Sequence, residues 1–474
     1  MRIRFLGQYI PASIAIRAAL ELGLLFALFY GAAILRLHHD VAYIERLQGP
    51  LWPRAAIFSV ATLACQLAFG LHSARQRARS AGILIRIVAA VGVGALISGA
   101  CLFLIPQLWL GRGVVALASA GATIVALILH IAFGPLIDER VFKVRVLVYG
   151  VGRRAEAISG LRRRADRRGF TVVGYVRPPG EGFEPVPSQQ GIVASEPVFE
   201  GSLGLSELCG RFDVDEIVVA VDDRRRAFPI RELLECRLAG VDVTELLTFL
   251  ERESGRVRID VLNPSWIIFG EGFRRGSLRQ LTSRALDLVA GTVIIVLSIP
   301  AIVATAIAIK MEDGLRAPVL YHQERVGLGG RSFRLMKFRS MRVDAEASGE
   351  ARWAERNDPR VTRVGAVIRK LRIDELPQLF NVLGGDMSLV GPRPERPEFV
   401  ASLAERIPYY VERHCMKPGI TGWAQLCYPY GSSEQDALEK LQYDLYYIKN
   451  NSLLLDLAIL VQTAEVAIFG KGAR

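Results

Sequence analysis

The sequence lacks any cysteine pattern that binds metal or forms a disulfide framework. Its six cysteines are scattered, and none belongs to a CxxC pair: Cys65, Cys101, Cys209, Cys236, Cys415 and Cys427. Such a distribution is typical of reduced, buried thiols in a protein that faces the cytoplasm. The sequence also lacks the pattern of a cleavable signal peptide, because no small-residue cleavage site follows the first apolar stretch.

Nucleic-acid-binding motifs are missing as well, although the chain is basic. Its 474 residues carry 59 Lys and Arg against 47 Asp and Glu, a formal net charge of +12. No RNP signature, zinc-finger spacing or basic helix followed by heptads accompanies that charge. Because 51% of the residues are hydrophobic, the charge fits anionic lipid head groups and phosphorylated substrates better. We therefore expect a membrane partner and no nucleic-acid partner.

Four apolar stretches approach the ~20 residues that a transmembrane helix needs. They lie near residues 14–35, 55–71, 87–105 and 114–133. Basic residues precede the first stretch, separate the second from the third and follow the fourth, whereas the loop between the third and fourth carries only Arg112. The positive-inside rule therefore predicts a multi-pass membrane protein with both chain ends in the cytoplasm.

Short apolar strands alternate with helical segments after the fourth stretch. Strands are predicted at residues 144–149, 171–176, 216–221 and 241–244, with a helix at 230–238. This alternation predicts a parallel, Rossmann-like sheet. The turn Gly150-Val-Gly152-Arg-Arg-Ala155 is suited to a pyrophosphate, but Arg177 stands where an NAD site needs an acidic residue. We favour a structural or regulatory domain, with nucleotide binding as the alternative.

A fifth apolar segment, residues 286–309, is long enough to cross the membrane but is predicted to enter and leave it on one side. Basic residues flank both of its ends, so both flanks are expected in the cytoplasm. Pro300 removes a backbone hydrogen bond and kinks a helix, and the nearby Ser298 hydroxyl is placed to donate to a freed carbonyl group. An ordinary fifth span with a proline kink is the alternative.

Motifs rich in Gly, Pro, Arg and Asp occupy residues 321–425. Lys337 and Arg339 alternate with apolar residues, which puts both cations on one face of a strand, suited to phosphate oxygens. A solvated edge strand is the alternative for that motif alone. Further along, Arg393 stands between two prolines, a rigid setting for a phosphate-binding guanidinium. The glycine-rich stretch before it frees the backbone to approach a ligand closely.

Asp374 and Glu375 are adjacent carboxylates that follow three cations within six residues. A helix N-cap would explain Asp374 alone, since a proline follows in the next turn. The cations predict a lowered carboxylate pKa and attract a diphosphate. The pattern therefore indicates phosphoryl transfer through an aspartyl-phosphate, helped by Mg²⁺ that the two carboxylates hold with substrate oxygens.

The succession KFRSM, NDPRVTRVG, DELPQLFNVLGGDMSLVGPRPE and KPGITGWAQ resembles the bacterial sugar transferase family, the polyprenyl-phosphate hexose-1-phosphate transferases. The resemblance runs from about Arg284 to the C-terminus. The four spans and the Rossmann-like middle domain are similar to the larger members, which initiate exopolysaccharide or O-antigen repeat units. Residues 263–266 and 469–474 are similar to the exosortase-associated exopolysaccharide branch.

The resemblance implies an enzyme in which Asp374 attacks the sugar-bearing phosphate of a UDP-sugar and releases UMP, with Glu375 as its partner and Mg²⁺ nearby. It implies polyprenyl phosphate as the acceptor in a second step, and Pro300 as the break in a re-entrant helix. The candidate substrate- and phosphate-binding residues are Lys337, Arg339, Arg369, Arg372, Gln378, Asp386 and Arg393. Two departures from the family pattern are Ala317-Pro318, where Gly-Pro is frequent, and the separation of Ser298 from Pro300 by one residue.

The expected architecture is a membrane α plus α/β protein. It comprises a four-helix transmembrane region (1–140), a Rossmann-like parallel-sheet middle domain (141–250), a linker (251–283) and an α+β catalytic domain with its re-entrant helix (284–474). Two rival functions are a membrane-tethered NAD-dependent nucleotide-sugar oxidoreductase and a non-catalytic membrane protein that senses a nucleotide. The spans and the middle domain also offer surface for a homodimer.

Overall fold

The computed structural model describes residues 2–5, 8–38, 40–71, 80–108, 112–138, 143–161, 169–178, 197–200, 204–222, 228–262, 276–342, 360–429, 431 and 433–469. Contacts divide the chain into two compact units, Met1–Ser254 and Gly255–Arg474. The motif residues 357–359, the segment 263–266 and the last residues, 470–474, lie outside the described ranges.

Long apolar helices form the first part of the N-terminal unit, which identifies a membrane protein. After a short antiparallel pair, β1 (Arg2–Phe5) and β2 (Gln8–Pro11), come α1 (Ala12–Leu37), α2 (Val41–Gln48), α3 (Trp52–Ala68), α4 (Ser80–Leu104) and α5 (Arg112–Asp138). The four predicted apolar helices are present as α1, α3, α4 and α5, of which α1, α4 and α5 are long and apolar enough to cross a membrane. An apolar cluster packs between these helices, and the rings of Phe29 and Phe58 lie 5.5 Å apart between α1 and α3.

A five-stranded parallel sheet forms the rest of this unit, in the strand order β5-β4-β3-β6-β7. Its strands are β3 (Val144–Tyr149), β4 (Phe170–Arg177), β5 (Val198–Glu200), β6 (Glu216–Val219) and β7 (Asp242–Glu245). Its helices are α6 (Arg153–Ser159), α7 (Leu205–Arg211), α8 (Ile230–Leu238) and α9 (Leu246–Ser254). The predicted parallel sheet is confirmed; β5, α7 and α9 are not among the predicted elements, because their apolar runs are short.

A carboxylate of the same domain closes the glycine turn after β3. The Asp222 carboxylate accepts hydrogen bonds from the backbone N–H groups of Arg153 (3.0 Å) and Arg154 (2.9 Å). A Cβ atom on Gly152 would lie 2.1 Å from Asp222 Oδ2. Gly152 therefore leaves space for the Asp222 carboxylate. That carboxylate occupies the position where the sequence pattern would place a pyrophosphate.

The longest helix of the C-terminal unit precedes its strands. Its elements are α10 (Ser277–Asp313), β8 (Leu320–Val326), β9 (Ser332–Phe338), α11 (Arg363–Lys370), α12 (Gln378–Gly384), β10 (Ser388–Val390), α13 (Pro397–Arg406), β11 (Gly419–Thr421), α14 (Trp423–Cys427), α15 (Glu434–Asn450) and α16 (Leu453–Phe469). The strands β8 and β9 form an antiparallel hairpin, and β10 pairs with β11 in parallel. Leu335, Val382 and Leu389 are central to the core.

Helix α10 contains Pro300 in its interior and contacts the rest of its unit near both ends. Near its start, buried Asp287 accepts from the Ser388 hydroxyl (2.9 Å) and the Leu389 N–H (2.8 Å). Near its end, the Glu312 carboxylate accepts from two backbone N–H groups at the start of α11. The charge of Asp287, which interrupts the apolar run in the sequence, is thus satisfied by protein rather than by lipid or water.

Candidate active site

Asp374 and Glu375 lie in a single 3₁₀ turn, Ile373–Glu375, between α11 and α12. Helix α12 has Pro377 as its N-cap. The alternative interpretation of Asp374 as a helix N-cap is therefore wrong. Arg372, immediately before the turn, has the left-handed backbone conformation (φ 59°), which is uncommon for a side-chain-bearing residue and occurs often at functional sites.

Among the described residues, every ion pair of the dyad is formed by Glu375 rather than by Asp374. Its carboxylate lies 2.8 Å from Arg393 Nη2, 3.6 Å from Arg372 Nη1 and 3.9 Å from Lys337 Nζ. Burial alone would raise the pKa of Glu375, but Arg393, Lys337 and Arg372 outweigh it and lower that pKa to about 2. Glu375 is therefore ionised at neutral pH and holds three cations around one point.

Asp374 has the opposite electrostatic character. Burial, and then the like charge of Glu375, raise the pKa of Asp374 above its ordinary value, against the opposing effect of Lys337, Arg369 and Arg372. The expected lowering of carboxylate pKa thus holds for Glu375 and is wrong for Asp374. A raised pKa means a more basic carboxylate, which is the stronger nucleophile once it is ionised.

The two cations of the KFRSM motif have different partners. Lys337, at the end of β9, lies beside the dyad; burial, and then Arg393, lower the pKa of Lys337 to about 8 despite the nearby Glu375. Arg339 follows the end of β9 and is buried, and its Nη2 donates to Asp313 Oδ2 at 2.8 Å. Of the pair, only Lys337 is in ionic contact with the dyad in the described residues.

Backbone packing joins the GPRPE and KPGITGW motifs. A Cβ atom on Gly391 would lie 2.4 Å from the Lys417 carbonyl oxygen and 2.8 Å from the Gly419 nitrogen. The close approach predicted for this glycine stretch is therefore, at Gly391, an approach to backbone. The packing holds the segment that presents Arg393 to Glu375.

The remaining candidate residues lie at different distances from the dyad. Arg369, in the last turn of α11, acts on the Asp374 charge. Gln378 is buried at the first position of α12, directly after the dyad turn. Asp386 follows the end of α12 with an exposed side chain, and its backbone N–H donates to the Asn381 carbonyl. Pro300 and Ser298 lie inside α10.

Three contributors to this site are not apparent from the motifs. Arg325, Arg413 and Asp444 are mostly buried, and both arginines donate to backbone carbonyl groups of the loop around Arg393. Only Asp444 carries a local signal, because it is the one charged residue in the stretch 443–448 of α15; Arg325 and Arg413 lie among other polar residues.

The comparisons with known proteins match the C-terminal part of the chain. A family model described as bacterial sugar transferase matches residues 278–470. The UDP-N-acetylgalactosamine-undecaprenyl-phosphate N-acetylgalactosaminephosphotransferase of Aeromonas hydrophila is 45% identical over 244 residues, 52% of this chain and 56% of that protein. The undecaprenyl-phosphate glucose phosphotransferase of Komagataeibacter xylinus is 45% identical over 199 residues, 41% of this chain and 37% of that protein.

A shorter relative is covered more fully. The UDP-glucose:undecaprenyl-phosphate glucose-1-phosphate transferase of Caulobacter vibrioides is 43% identical over 186 residues, 39% of this chain and 68% of that protein. In contrast, the match spans about half of the Aeromonas protein and little more than a third of the Komagataeibacter protein. The family match includes the dyad, Arg393 and the strand that carries Lys337, and on this evidence the chain belongs to the bacterial sugar transferase family.

Proposed function

We propose that this protein transfers a hexose-1-phosphate from a UDP-sugar to a polyprenyl phosphate in the bacterial inner membrane and releases UMP. The product would begin a repeat unit of the exopolysaccharide or O-antigen type. The observation that carries the proposal is the division of the dyad into an ionised Glu375 that gathers three cations and a more basic Asp374 beside it. The related proteins whose names include an undecaprenyl-phosphate sugar phosphotransfer support the reaction class.

In the first half-reaction, a carboxylate oxygen of Asp374 attacks the sugar-bearing phosphorus of the UDP-sugar. The bond from that phosphorus to the bridging oxygen breaks, and UMP leaves with the bond's electron pair. The cations around Glu375 face the charge that develops on the phosphate oxygens, and fixed charges of this kind stabilise such a transition state. Asp374 then carries the hexose phosphate as an acyl phosphate.

In the second half-reaction, an oxygen of the polyprenyl phosphate attacks the same phosphorus. The bond to Asp374 breaks, and the carboxylate leaves unchanged. Two steps at one aspartate allow the nucleotide to depart before the lipid phosphate arrives. The site therefore needs room for only one phosphate-bearing partner at a time beside the sugar phosphate.

Mg²⁺ is proposed as the cofactor, with Asp374 as its better protein ligand. Glu375 already faces three cations, which disfavours a further cation on that carboxylate. No cluster of three or more metal-ligating side chains occurs among the described residues, and Mg²⁺ suits a site with one carboxylate plus substrate phosphate oxygens. When bound, the ion would neutralise charge on the diphosphate.

The Mg²⁺ assignment is tested by chelation. Chelation should abolish transfer and added Mg²⁺ should restore it; full activity in excess EDTA would contradict this assignment.

The re-entrant course of α10 is part of the proposal. Ile294 and Ile295 pack on one core cluster of the unit, and Ile302 on another. Ile302 follows Ile295 by seven positions, about 10 Å along the helix, which is far less than ~30 Å of hydrocarbon. This short spacing supports a helix that enters and leaves the membrane on one side. A cysteine introduced at Gly330 should react with a membrane-permeant maleimide only; labelling by an impermeant reagent from the periplasm would contradict the cytoplasmic orientation.

The decisive experiment measures transfer directly. Membranes that contain the protein are incubated with polyprenyl phosphate and a panel of radiolabelled UDP-hexoses, and both UMP and labelled glycolipid are assayed. We expect stoichiometric UMP and glycolipid with at least one sugar. Nucleotide-dependent oxidation of a UDP-sugar without glycolipid would instead favour the oxidoreductase, against which the Asp222 carboxylate in the glycine turn argues. Absence of any product would favour the non-catalytic sensor.

A further inference from the structure

The loop that carries Arg393 is held through its backbone carbonyl groups. The prolines on both sides of Arg393 have no N–H group to donate, so the carbonyl oxygens carry most of the loop's backbone hydrogen bonding. All four consecutive carbonyls from Pro392 to Glu395 accept a hydrogen bond. In chain order the donors are the Gly419 N–H (2.9 Å), Arg413 Nη2 (3.0 Å), Arg325 Nη1 (3.1 Å) and the Val326 N–H (3.0 Å).

Arg413 makes the contact with Arg393 itself, and a buried network holds Arg413. Its guanidinium also donates from Nη1 to the Tyr410 hydroxyl at 2.7 Å and lies over the Tyr410 ring, with 5.2 Å from Cζ to the ring centroid. Asp444 Oδ2 lies 2.8 Å from Arg413 Nη2, and the two side chains are 3% and 7% exposed. The network thus links helix α15 to the residue whose side chain reaches Glu375.

Folding stability alone does not explain the buried ion pair between Arg413 and Asp444. Removing two charges from water costs several kcal/mol per ion, and apolar residues of the same volume often serve a core as well or better. A guanidinium differs from an apolar side chain in presenting several donors in one rigid plane. Here that plane joins an aromatic hydroxyl, a carboxylate and the Arg393 carbonyl group.

We infer that Arg413 and Asp444 are positioning residues that fix the Arg393 backbone, so that its guanidinium meets both Glu375 and the diphosphate of the nucleotide sugar. The inference rests on the proposed function for the identity of that diphosphate. Neither residue touches the reacting atoms. They act through Arg393, whose Nη2 lies 2.8 Å from Glu375 Oε1.

The test is a double-mutant cycle between Arg413→Lys and Arg393→Ala in the full-length protein in nanodiscs. Lysine keeps the positive charge for Asp444 but has no planar fork that reaches three acceptors. With Arg393 present, Arg413→Lys should lower kcat/KM for the UDP-sugar by about 10- to 100-fold. With Arg393→Ala, the same change should cause little further loss, because the residue that it positions is gone.

The matched control is Asp456→Asn, which alters an equally buried carboxylate of the same unit that pairs with Arg279 at 2.6 Å. Any loss that it causes by destabilisation should be the same in both Arg393 backgrounds. Asp444→Asn should behave like Arg413→Lys. Equal losses from Arg413→Lys in both backgrounds, or no loss in either, would overturn the positioning role.

A second measurement does not depend on turnover. The wild type, Arg413→Lys, Arg393→Ala and the double variant are titrated with UDP. Arg413→Lys should raise the Kd for UDP only when Arg393 is present. Unchanged UDP affinity, or no UDP binding by the wild type, would overturn the inference. A wild type that binds UDP with this coupling and yet transfers no sugar would overturn the proposed function and leave the positioning of Arg393 supported.

Discussion

At the scale of single residues, Asp374 and Glu375 are both carboxylic acids, but the charged residues around them differ. The two carboxylates share one turn, but Arg393, Arg372 and Lys337 all approach Glu375. Glu375 is thereby kept ionised and fixed, whereas Asp374 gains basicity from burial and from its neighbour's charge. A nucleophile benefits from basicity and a charge organiser from permanent ionisation, so each residue has the electrostatics that its proposed role needs.

Asp374→Asn and Glu375→Gln should therefore fail in different ways. Asp374→Asn removes the nucleophile, so turnover should fall by roughly three orders of magnitude or more and no enzyme-bound sugar phosphate should form. Glu375→Gln leaves the nucleophile but releases the cations, so turnover should fall about 100-fold while the adduct still forms slowly. Acid-quenched protein labelled from a UDP-sugar with a radioactive β-phosphate measures the adduct. Equal adduct yields from the two variants would refute the division of roles.

The left-handed backbone of Arg372 gives a second residue-scale prediction. Glycine adopts φ near 59° without the steric cost that a Cβ atom brings, about 1 kcal/mol or somewhat more. Arg372→Gly should therefore be more stable than Arg372→Ala by about that amount in thermal denaturation. Both variants lose the cation 3.6 Å from Glu375 and should lose activity by a similar, few-fold factor. If the glycine variant melts no higher than the alanine variant, the turn carries no backbone strain.

At the scale of elements, β10 and β11 connect two distant parts of the catalytic sequence. Only three residues long each, they pair in parallel, Ser388 with Gly419 and Val390 with Thr421. Directly after each strand, Gly391 and Gly422 lie so close to neighbouring backbone atoms that a Cβ atom would have no room. The motifs on either side are therefore parts of one structural feature.

Gly391→Ala should disrupt this pairing, because the new Cβ atom would lie 2.4 Å from the Lys417 carbonyl oxygen. Overpacking against backbone costs about 1–3 kcal/mol, so the melting temperature and the activity should both fall. Gly384→Ala is the matched control, since nothing lies within 4 Å of its Cβ position in the described structure. The control should be neutral or slightly stabilising in the end of α12. Comparable melting of both variants would contradict this account.

Features encoded locally were predictable from the sequence, and features that depend on distant partners were not. The apolar helices and the strand Val144–Tyr149 follow from local hydrophobic patterns. The pairing of Arg339 with Asp313, by contrast, joins residues 26 positions apart, and Asp222 caps a turn some 70 residues earlier. The raised pKa of Asp374 was missed for the same reason, since burial and the direction of neighbouring cations are set by tertiary packing.

At the scale of the whole molecule, all residues of the proposed chemistry belong to the unit Gly255–Arg474. The start of that unit lies before the family match at residue 278 and is tied to the catalytic core. The Gly255 carbonyl accepts from Trp423 Nε1 at 2.8 Å, and the Val257 N–H donates to the Gln442 carbonyl at 3.0 Å. Arg256 also pairs with Glu439. Residues 255–257 are therefore part of the catalytic fold, although they precede the family match.

A chain of residues 255–474 should accordingly retain sugar-phosphate transfer in membranes, within about tenfold of the full-length rate, because it keeps the dyad, its cations and the helix α10. A chain of residues 277–474 keeps the same chemistry but loses the contacts of Gly255, Arg256 and Val257, so it should melt at a lower temperature and lose activity on mild heating. Asp374→Asn in the 255–474 chain controls for residual membrane enzymes. If the 255–474 chain is folded and membrane-bound but inactive while the full-length protein is active, the N-terminal unit must contribute to the reaction, and confinement of the chemistry to one unit is wrong.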